Sequence, residues 1–181
     1  MKEHIALSQT RAWVERVIMK YNLCPFARRE VEADSIRYAG IDAAELPRAL
    51  EALFLECQYL DGHPEVATTL CVLTGGFSEF DHYLELVELA TSLLQMQGYD
   101  GVYQLASFHP DYCFAGEPED DPANFTNRSP WPTIHLIREE SMARALAEYE
   151  DPEGIPERNV AFARKRGSEF FLSLLAGIKK Q

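Results

Sequence analysis

The feature that most constrains the fold is the run Thr-Thr-Leu-Cys-Val-Leu at residues 68–73. Every side chain in this run is apolar or β-branched, which is typical of a strand that is covered on both faces. The following segment carries Tyr83, Val87 and Leu94 at the spacing of one helix face. A buried strand joined to an amphipathic helix in this way indicates an α/β fold.

Three further segments have the composition of short strands: residues 35–39, 102–108 and 133–138. Helical patterns precede the first strand, separate the first three strands and follow the fourth. The order α-β-α-β-α-β-β-α-α predicts a single α/β domain over residues 1–181, with sheet and helices in three layers. The four-stranded sheet is predicted to be mostly parallel, with flanking helices and one antiparallel strand, the fourth, after a long loop.

The ends of the predicted helices carry their own signals. Asn22 is predicted to end the first helix, because asparagine tolerates the left-handed conformation of a C-terminal cap. Asp42 and Glu45 have the spacing of a capping box at the start of the second helix. Pro156 suits the first turn of a final helix, whose apolar face extends to Ile178.

Composition limits the partners and the compartment. Seventeen basic residues against 29 acidic ones give a net charge of −12, which argues against binding to nucleic acid or to an anionic membrane. A small anionic ligand is compatible with this charge, because a local pair of arginines overcomes a distant, screened field. The four cysteines have no Cys-x-x-Cys spacing and no signal peptide or membrane-spanning run is present, so we predict a soluble cytoplasmic protein. The sequence indicates neither a particular cofactor nor an oligomeric state.

The long polar loop at residues 109–132 is the main candidate for a functional region, because long loops in compact domains are usually functional or disordered. If the fourth strand pairs antiparallel with the third, Thr133 and His135 are expected near Ser107 and His109. Ligands in open α/β sheets bind at the carboxyl ends of the strands. A site is therefore predicted where the third strand, the loop and the fourth strand meet.

Several specific motifs are distributed along the chain, three of them in this region. They are N-L-C-P-F-A at 22–27, A-S-F-H-P-D-Y at 106–112, F-T-N-R-S-P at 125–130, H-L-I-R-E at 135–139 and D-P-E-G-I-P-E-R-N at 151–159. Together they resemble the hallmarks of the family called domain of unknown function 1415, over nearly the whole chain. The resemblance implies one recurring architecture; it implies no activity, cofactor or catalytic residue.

Three residues are candidates for catalysis. His109 could act as a general acid or base, since the pKa of histidine lies near neutrality, and Asp121, or alternatively Asp120, could orient it or hold a cation. His135 would be the second imidazole of the site. The alternatives are that His109 caps the strand end by bonding to the backbone, and that His135 is a half-buried side chain satisfied by its neighbours.

Four residues are candidates for ligand binding. Arg128, helped by Ser107 and Asn127, is predicted to hold an anionic group, because a guanidinium can donate two parallel hydrogen bonds to a carboxylate or phosphate. Arg138 is a further candidate. The alternatives are that Arg128 pins the loop by pairing with Asp120 or Asp121, and that Arg138 bridges to a neighbouring acid.

Two other patterns have both a functional and a structural interpretation. Nitrogen and oxygen atoms of His109, Asp111, Asp120 and His135 could bind a divalent metal, but no spacing signature supports this, so no metal site is predicted. Gly75-Gly76 could expose backbone N–H groups to an anion, or could simply form a tight strand-to-helix turn.

Cys24 is an alternative nucleophile. A short helix beginning at Pro25, together with Arg28 and Arg29, would lower the pKa of its thiol. The alternative is a buried cysteine that packs where the chain leaves the first helix.

These residues lead to three hypotheses of function. The first is an enzyme, a hydrolase or transferase, acting on a small anionic molecule through a His/Asp/Arg site in the 107–138 segment. The second is a non-catalytic domain that binds a small ligand in the same pocket. The third is a protein interaction module, in which Phe114, Trp131 and the acidic loop meet a basic partner.

Overall fold

A computed structural model describes residues 1–180 of the protein. Over this range the chain forms seven α-helices and four strands, with a π-helix directly after α1 and a 3₁₀ helix between β3 and β4. Their bounds are α1 Lys2–Trp13, π-helix Val14–Met19, α2 Ala27–Glu32, β1 Ile36–Ile41, α3 Leu46–Gly62, β2 Thr68–Leu73, α4 Phe80–Met96, β3 Tyr103–Phe108, 3₁₀ helix Pro122–Thr126, β4 Thr133–Arg138, α5 Glu139–Ala147, α6 Ile155–Arg166 and α7 Ser168–Lys179.

The four strands form one mixed sheet in the order β1-β2-β4-β3. Only β1 and β2 pair in parallel, while β4 pairs antiparallel with both β2 and β3. The prediction of an antiparallel strand beside β3 is confirmed, but the prediction of a mostly parallel sheet is wrong. The reason is that β4 lies between β2 and β3 instead of at an edge, so two of the three strand pairs are antiparallel.

Hydrophobic clusters lie against both faces of the sheet. One cluster joins α3 and α4 to side chains such as Cys71 and Ile134. The other joins α1, the π-helix and α7 to side chains such as Leu70 and Phe108. Successive side chains of a strand point to opposite faces, so Leu70 and Cys71 mark the two sides. This explains why every residue of β2 is buried, as its composition predicts.

The helix ends agree with the sequence signals in part. Asn22 has a φ of 53°, which confirms the left-handed residue predicted after the first helix. The capping box predicted from Asp42 and Glu45 is wrong, because α3 begins after Glu45 without a side-chain cap. The final helical segment is divided at Gly167, whose φ of 80° separates α6 from α7. No helix in the described range is long and apolar enough to cross a membrane.

Candidate functional site

His109 follows β3 and lies fully inside the protein, on the α3–α4 face of the sheet. Its ring packs against Tyr83 at 5.0 Å, and its Nε2 contacts the Phe77 carbonyl oxygen at 3.0 Å. The Asp111 N–H donates to Nδ1 at 3.0 Å, and the backbone of His109 pairs with that of Asn127. Burial lowers the pKa of His109. Both ring nitrogens are therefore committed to the backbone, which is the structural alternative considered for this residue.

His135 points to the opposite face. In the β3–β4 register, His135 pairs with Ala106 and Ile134 pairs with Ser107. Paired residues share a face, so His135 lies with Ala106, while Ser107 and His109 lie on the other side. The expectation that both imidazoles line one concavity is therefore wrong. A shift of β4 by one residue relative to β3 would place His135 on the same face as Ser107 and His109.

The predicted binding residues of the loop, Arg128 and Asn127, bond to the backbone of the loop and of β3. The Arg128 guanidinium donates to the carbonyl oxygens of Tyr112 at 3.0 Å and Glu119 at 2.8 Å, and lies 4.6 Å from the Phe125 ring centre. The Asn127 side-chain amide donates to the Ser107 carbonyl at 3.1 Å. These groups fold the loop onto β3, and two carbonyl oxygens bond to Nε and Nη2 of the guanidinium, along the edge that would otherwise bind an anion with two parallel hydrogen bonds.

The two acidic candidates lie at the surface of the same loop. Asp121 accepts a hydrogen bond from the Ala123 N–H at 2.8 Å, which starts the 3₁₀ helix. Its carboxylate also pairs with Arg164 of α6 at 2.9 Å, and this hydrogen bond lowers the pKa of Asp121. The backbone carbonyl of the neighbouring Asp120 accepts from Ser168 at 3.2 Å. Asp121 therefore orients a helix and an arginine, and not His109.

Arg138 joins the end of β4 to the α3–β2 connection. Its guanidinium donates to the carbonyl oxygens of Leu60 at 2.6 Å, His63 at 3.0 Å and Val66 at 3.1 Å. The partners are carbonyl groups, and not the neighbouring acid expected from the sequence. These contacts with three carbonyl groups restrain the guanidinium in one position.

The side chains considered as metal ligands do not lie together in one site. His109 and His135 lie on opposite faces, and Asp120 faces α7 through its backbone. Nowhere in residues 1–180 do three or more His, Cys, Asp or Glu side chains form a group that could hold a metal ion.

A cavity of about 270 Å³ lies on the His135 face of the sheet. The π-helix, α2 and α5 enclose it against β2, β3 and β4, and its lining is almost entirely apolar, as shown by Val14, Phe26, Leu70, Phe108, Ile137 and Met142. This volume is close to the lower end of small-molecule sites, which span roughly 300–1,000 Å³. The cavity therefore has room for a small ligand.

His135 and Thr68 form the main polar pair at the cavity wall. Thr68 Oγ1 lies 2.6 Å from His135 Nε2 and also contacts the Leu136 carbonyl oxygen. A carbonyl only accepts, so the Thr68 hydroxyl donates to Leu136 and accepts from the Nε2–H of His135. Burial lowers the pKa of His135 to about 4, so the ring is neutral at pH 7 and its Nδ1 is left as an acceptor.

Trp13 also lines this cavity, at the end of α1. Its side chain is 1% exposed, and its indole N–H has no acceptor anywhere in the described chain. Buried donors almost always have a partner, and a missing one needs an explanation such as a water or a ligand. The sequence pattern placed Trp13 on the core face of the first helix, and nothing in that pattern indicates an unsatisfied donor.

Cys24, the alternative nucleophile, contributes to the same wall. Burial raises the pKa of its thiol, so the thiol is protonated near neutral pH and is a poor nucleophile. The segment that carries it is held from α6, where Arg158 and Asn159 donate to the carbonyl oxygens of Asn22 at 2.8 Å and Leu23 at 2.6 Å. The geometry therefore favours the buried, packing cysteine.

Comparison with known proteins identifies the family and nothing beyond it. No curated protein and no solved structure matches the chain. The family model described as protein of unknown function (DUF1415) matches residues 5–173. The match covers nearly all the elements described above, from α1 to α7, and the chain belongs to the DUF1415 family.

Proposed function

We propose that the protein is a non-catalytic binding domain for a small, neutral and largely apolar molecule, held in the cavity that His135 and Trp13 line. The observation that carries this proposal is the apolar cavity itself, in whose wall the neutral His135 keeps Nδ1 as a hydrogen-bond acceptor. A hydroxyl on the ligand would donate to this nitrogen, and the apolar walls would bury the rest of the molecule.

The charged groups near the cavity favour a neutral ligand. His135 is uncharged at pH 7, because its pKa is about 4. Glu30 accepts a hydrogen bond from the Ser35 hydroxyl at 2.5 Å, and Arg138 donates to backbone carbonyls. An ionised ligand would leave its charge in an apolar space without a free counter-charge, which is unfavourable. A ligand hydroxyl, in contrast, can donate to Nδ1 of His135.

The family motifs also support this cavity. Segments 22–27, 106–112 and 135–139, three of the five motifs through which the resemblance is recognised, each contribute wall residues: Cys24, Phe26, Ala27, Ala106, Phe108, His135, Ile137 and Arg138. Residues of these motifs that lie far apart in the chain meet at one apolar space. This favours a shared role for the cavity within the family.

The other two hypotheses have less support. The catalytic roles of His109, Asp121 and His135 in an enzyme acting on a small anionic molecule stay predictions, and the separation of the two histidines removes their geometric basis. An interaction module would need exposed aromatic residues on the loop. Phe114 and Trp131, the two aromatic residues of this hypothesis, are instead only partly exposed, and the Trp131 indole N–H donates to Gln9 at 2.7 Å.

Two broader expectations fit this proposal. The hydrophobic clusters on both sheet faces support an arrangement of three layers. All four cysteines are free thiols, which supports the cytoplasmic, reducing location expected from the sequence.

The two tryptophans make the proposal directly testable. Trp131→Phe leaves Trp13 as the only tryptophan, so its emission reports on the cavity. We expect cyclohexanol and cyclohexanone to change this emission saturably and to raise the unfolding temperature. Cyclohexanecarboxylate, of nearly the same shape but charged, should do neither.

Ala106→Leu provides the decisive variant, because Ala106 lines the cavity and the larger side chain fills it. Ala143→Leu, on the exposed side of α5, is the matched control. We expect the response to neutral compounds to disappear in the first variant and to persist in the second. If a panel of small neutral alcohols and ketones gives no saturable response, or if Ala106→Leu leaves the response intact, the cavity is not the binding site.

A further inference from the structure

A second, chemically different cleft of about 580 Å³ lies at the carboxyl end of β2. The floor is the segment Leu73–Gly76, and the walls come from α1, the β3–β4 loop and α7. It shares no lining residue with the apolar cavity. Its position is the edge at which open α/β sheets bind their ligands.

The charge of this cleft differs from that of the whole protein. The chain carries a net charge of −12, but the cleft is lined by Lys2 and Lys179 against a single acid, Asp111. Neither lysine forms a salt bridge with any residue in the described range. Lys2 and Lys179 outnumber the lining carboxylate of Asp111, and the Asp42 carboxylate lies beside Gly75. The cleft is therefore less acidic than the protein as a whole and locally more favourable for an anion.

The backbone at Gly75 and Gly76 adds unused donors. A Cβ on Gly75 would lie 2.5 Å from Asp42 Oδ1 and 2.7 Å from the Ala43 nitrogen. The two glycines are therefore required for a close approach to the loop after β1. Their N–H groups donate to no acceptor within residues 1–180, whereas the preceding Thr74 N–H bonds to Ile41 at 2.8 Å.

One wall of the cleft is held rigidly. The Trp131 indole N–H donates to Gln9 Oε1 at 2.7 Å, and the amide of the same Gln9 donates to the Lys179 carbonyl at 3.1 Å. Gln9 is only 6% exposed, so this buried amide ties α1, the loop and α7 together. The Lys2 ammonium lies 5.8 Å from the centre of the Trp131 ring.

We propose that this cleft binds a small oxyanion, a phosphate or a carboxylate, between the two lysines and the free N–H groups of Gly75 and Gly76. This site is independent of the apolar cavity and of the function proposed for it. It places an anionic ligand at the strand edge where the Gly-Gly turn lies, and not at the Arg128 loop.

The test is calorimetric titration of the full chain with inorganic phosphate and with malonate, at constant ionic strength maintained with sodium chloride. We expect saturable binding of at least one of them, and the tighter of the two identifies the ligand chemistry. Lys2→Gln combined with Lys179→Gln should weaken binding at least tenfold. The control is Lys20→Gln combined with Lys165→Gln, which removes the same charge elsewhere and should leave the affinity unchanged.

A fluorescence readout separates this site from the cavity. In Trp13→Phe, emission comes from Trp131 alone, and we expect phosphate or malonate to change it while cyclohexanol does not. Absence of saturable binding of either anion to the unmodified chain at constant ionic strength would overturn the proposal. An equal loss of affinity in the two double variants would overturn it as well, because the effect would then be one of net charge. Neither result bears on cyclohexanol binding to the cavity.

Discussion

The loop at residues 109–132 and the apolar cavity contain similar kinds of polar side chains and use them differently. In the loop, the side chains of His109, Arg128 and Asn127 all bond to backbone groups, either of the loop itself or of segments packed against it. In the cavity, His135 keeps one ring nitrogen as an acceptor and Trp13 keeps an N–H without a partner. The many polar residues of the loop therefore serve the hydrogen bonds that keep the loop ordered. Polar groups without hydrogen-bond partners, in contrast, indicate where a ligand could bind.

The strongest test of this comparison is His109→Ala. The imidazole is 0% exposed, and its removal leaves a void and two unpaired groups, the Phe77 carbonyl and the Asp111 N–H. We expect a loss of about 3–4 kcal/mol in the free energy of unfolding, measured by urea denaturation. The exposed His4→Ala is the control and should change little. A variant of unchanged stability would show that His109 is not a structural residue.

The second test uses pH. An unfolded histidine titrates near 6.5, but burial lowers the pKa of His135 to about 4, so between these values the folded state binds fewer protons than the unfolded chain. Stability is therefore fully present above about pH 6.5, falls with decreasing pH and levels off below about 4. This group should account for about 3 kcal/mol between neutral pH and about pH 4.

Urea denaturation of the unmodified chain and of His135→Gln at both pH values measures this contribution. His109 titrates in the same direction, since burial lowers its pKa too, so the variant should retain part of the acid sensitivity. An unchanged pH dependence in His135→Gln would mean that the imidazole of His135 is not buried in its neutral form.

A smaller effect is expected at Arg128. Arg128→Ala removes two hydrogen bonds to the carbonyls of Tyr112 and Glu119, which should cost about 2 kcal/mol in unfolding free energy. Because the guanidinium bonds within the loop, binding of phosphate or malonate should be unaffected. A loss of anion affinity with normal stability would return Arg128 to the binding role predicted from the sequence.

The smallest expected change in stability is that of Ala106→Leu. Filling a pre-formed cavity with apolar atoms commonly adds about 1 kcal/mol to the free energy of unfolding. The same substitution should abolish the binding of neutral compounds, so stability and binding move in opposite directions. Differential scanning calorimetry with and without cyclohexanol measures both. A destabilised variant that still binds would indicate that the leucine does not occupy the cavity.

The strands and the helices could be predicted from sequence because their signals are local. Thr133–Arg138 was predicted with the observed bounds, and Asn22 ends its helix as expected. The position of β4 between β2 and β3 was not predictable in this way, because the choice of neighbouring strand depends on packing across the whole sheet. The π-helix was also missed, since its apolar spacing resembles that of an α-helix.

The arrangement of the candidate site could not be predicted from the sequence for one physical reason. Residues 107 and 109 share a face, and residues 133 and 135 share a face, but only the pairing register decides whether the two faces coincide. The observed pairing of His135 with Ala106 places them on opposite sides. The cavity itself depends on side chains from six separate segments, among them Trp13 and Thr68, whose individual patterns indicate only a hydrophobic core.

The central position of β4 has a consequence for the order in which the chain assembles. In the sheet, β3 is hydrogen-bonded only to β4. When synthesis has passed residue 108 but has not yet reached β4, β3 therefore has no strand to pair with. It must wait until the whole intervening loop and the last strand have emerged from the ribosome. Since unpaired strand edges promote aggregation, β3 stays an unprotected edge until β4 is available to pair with it.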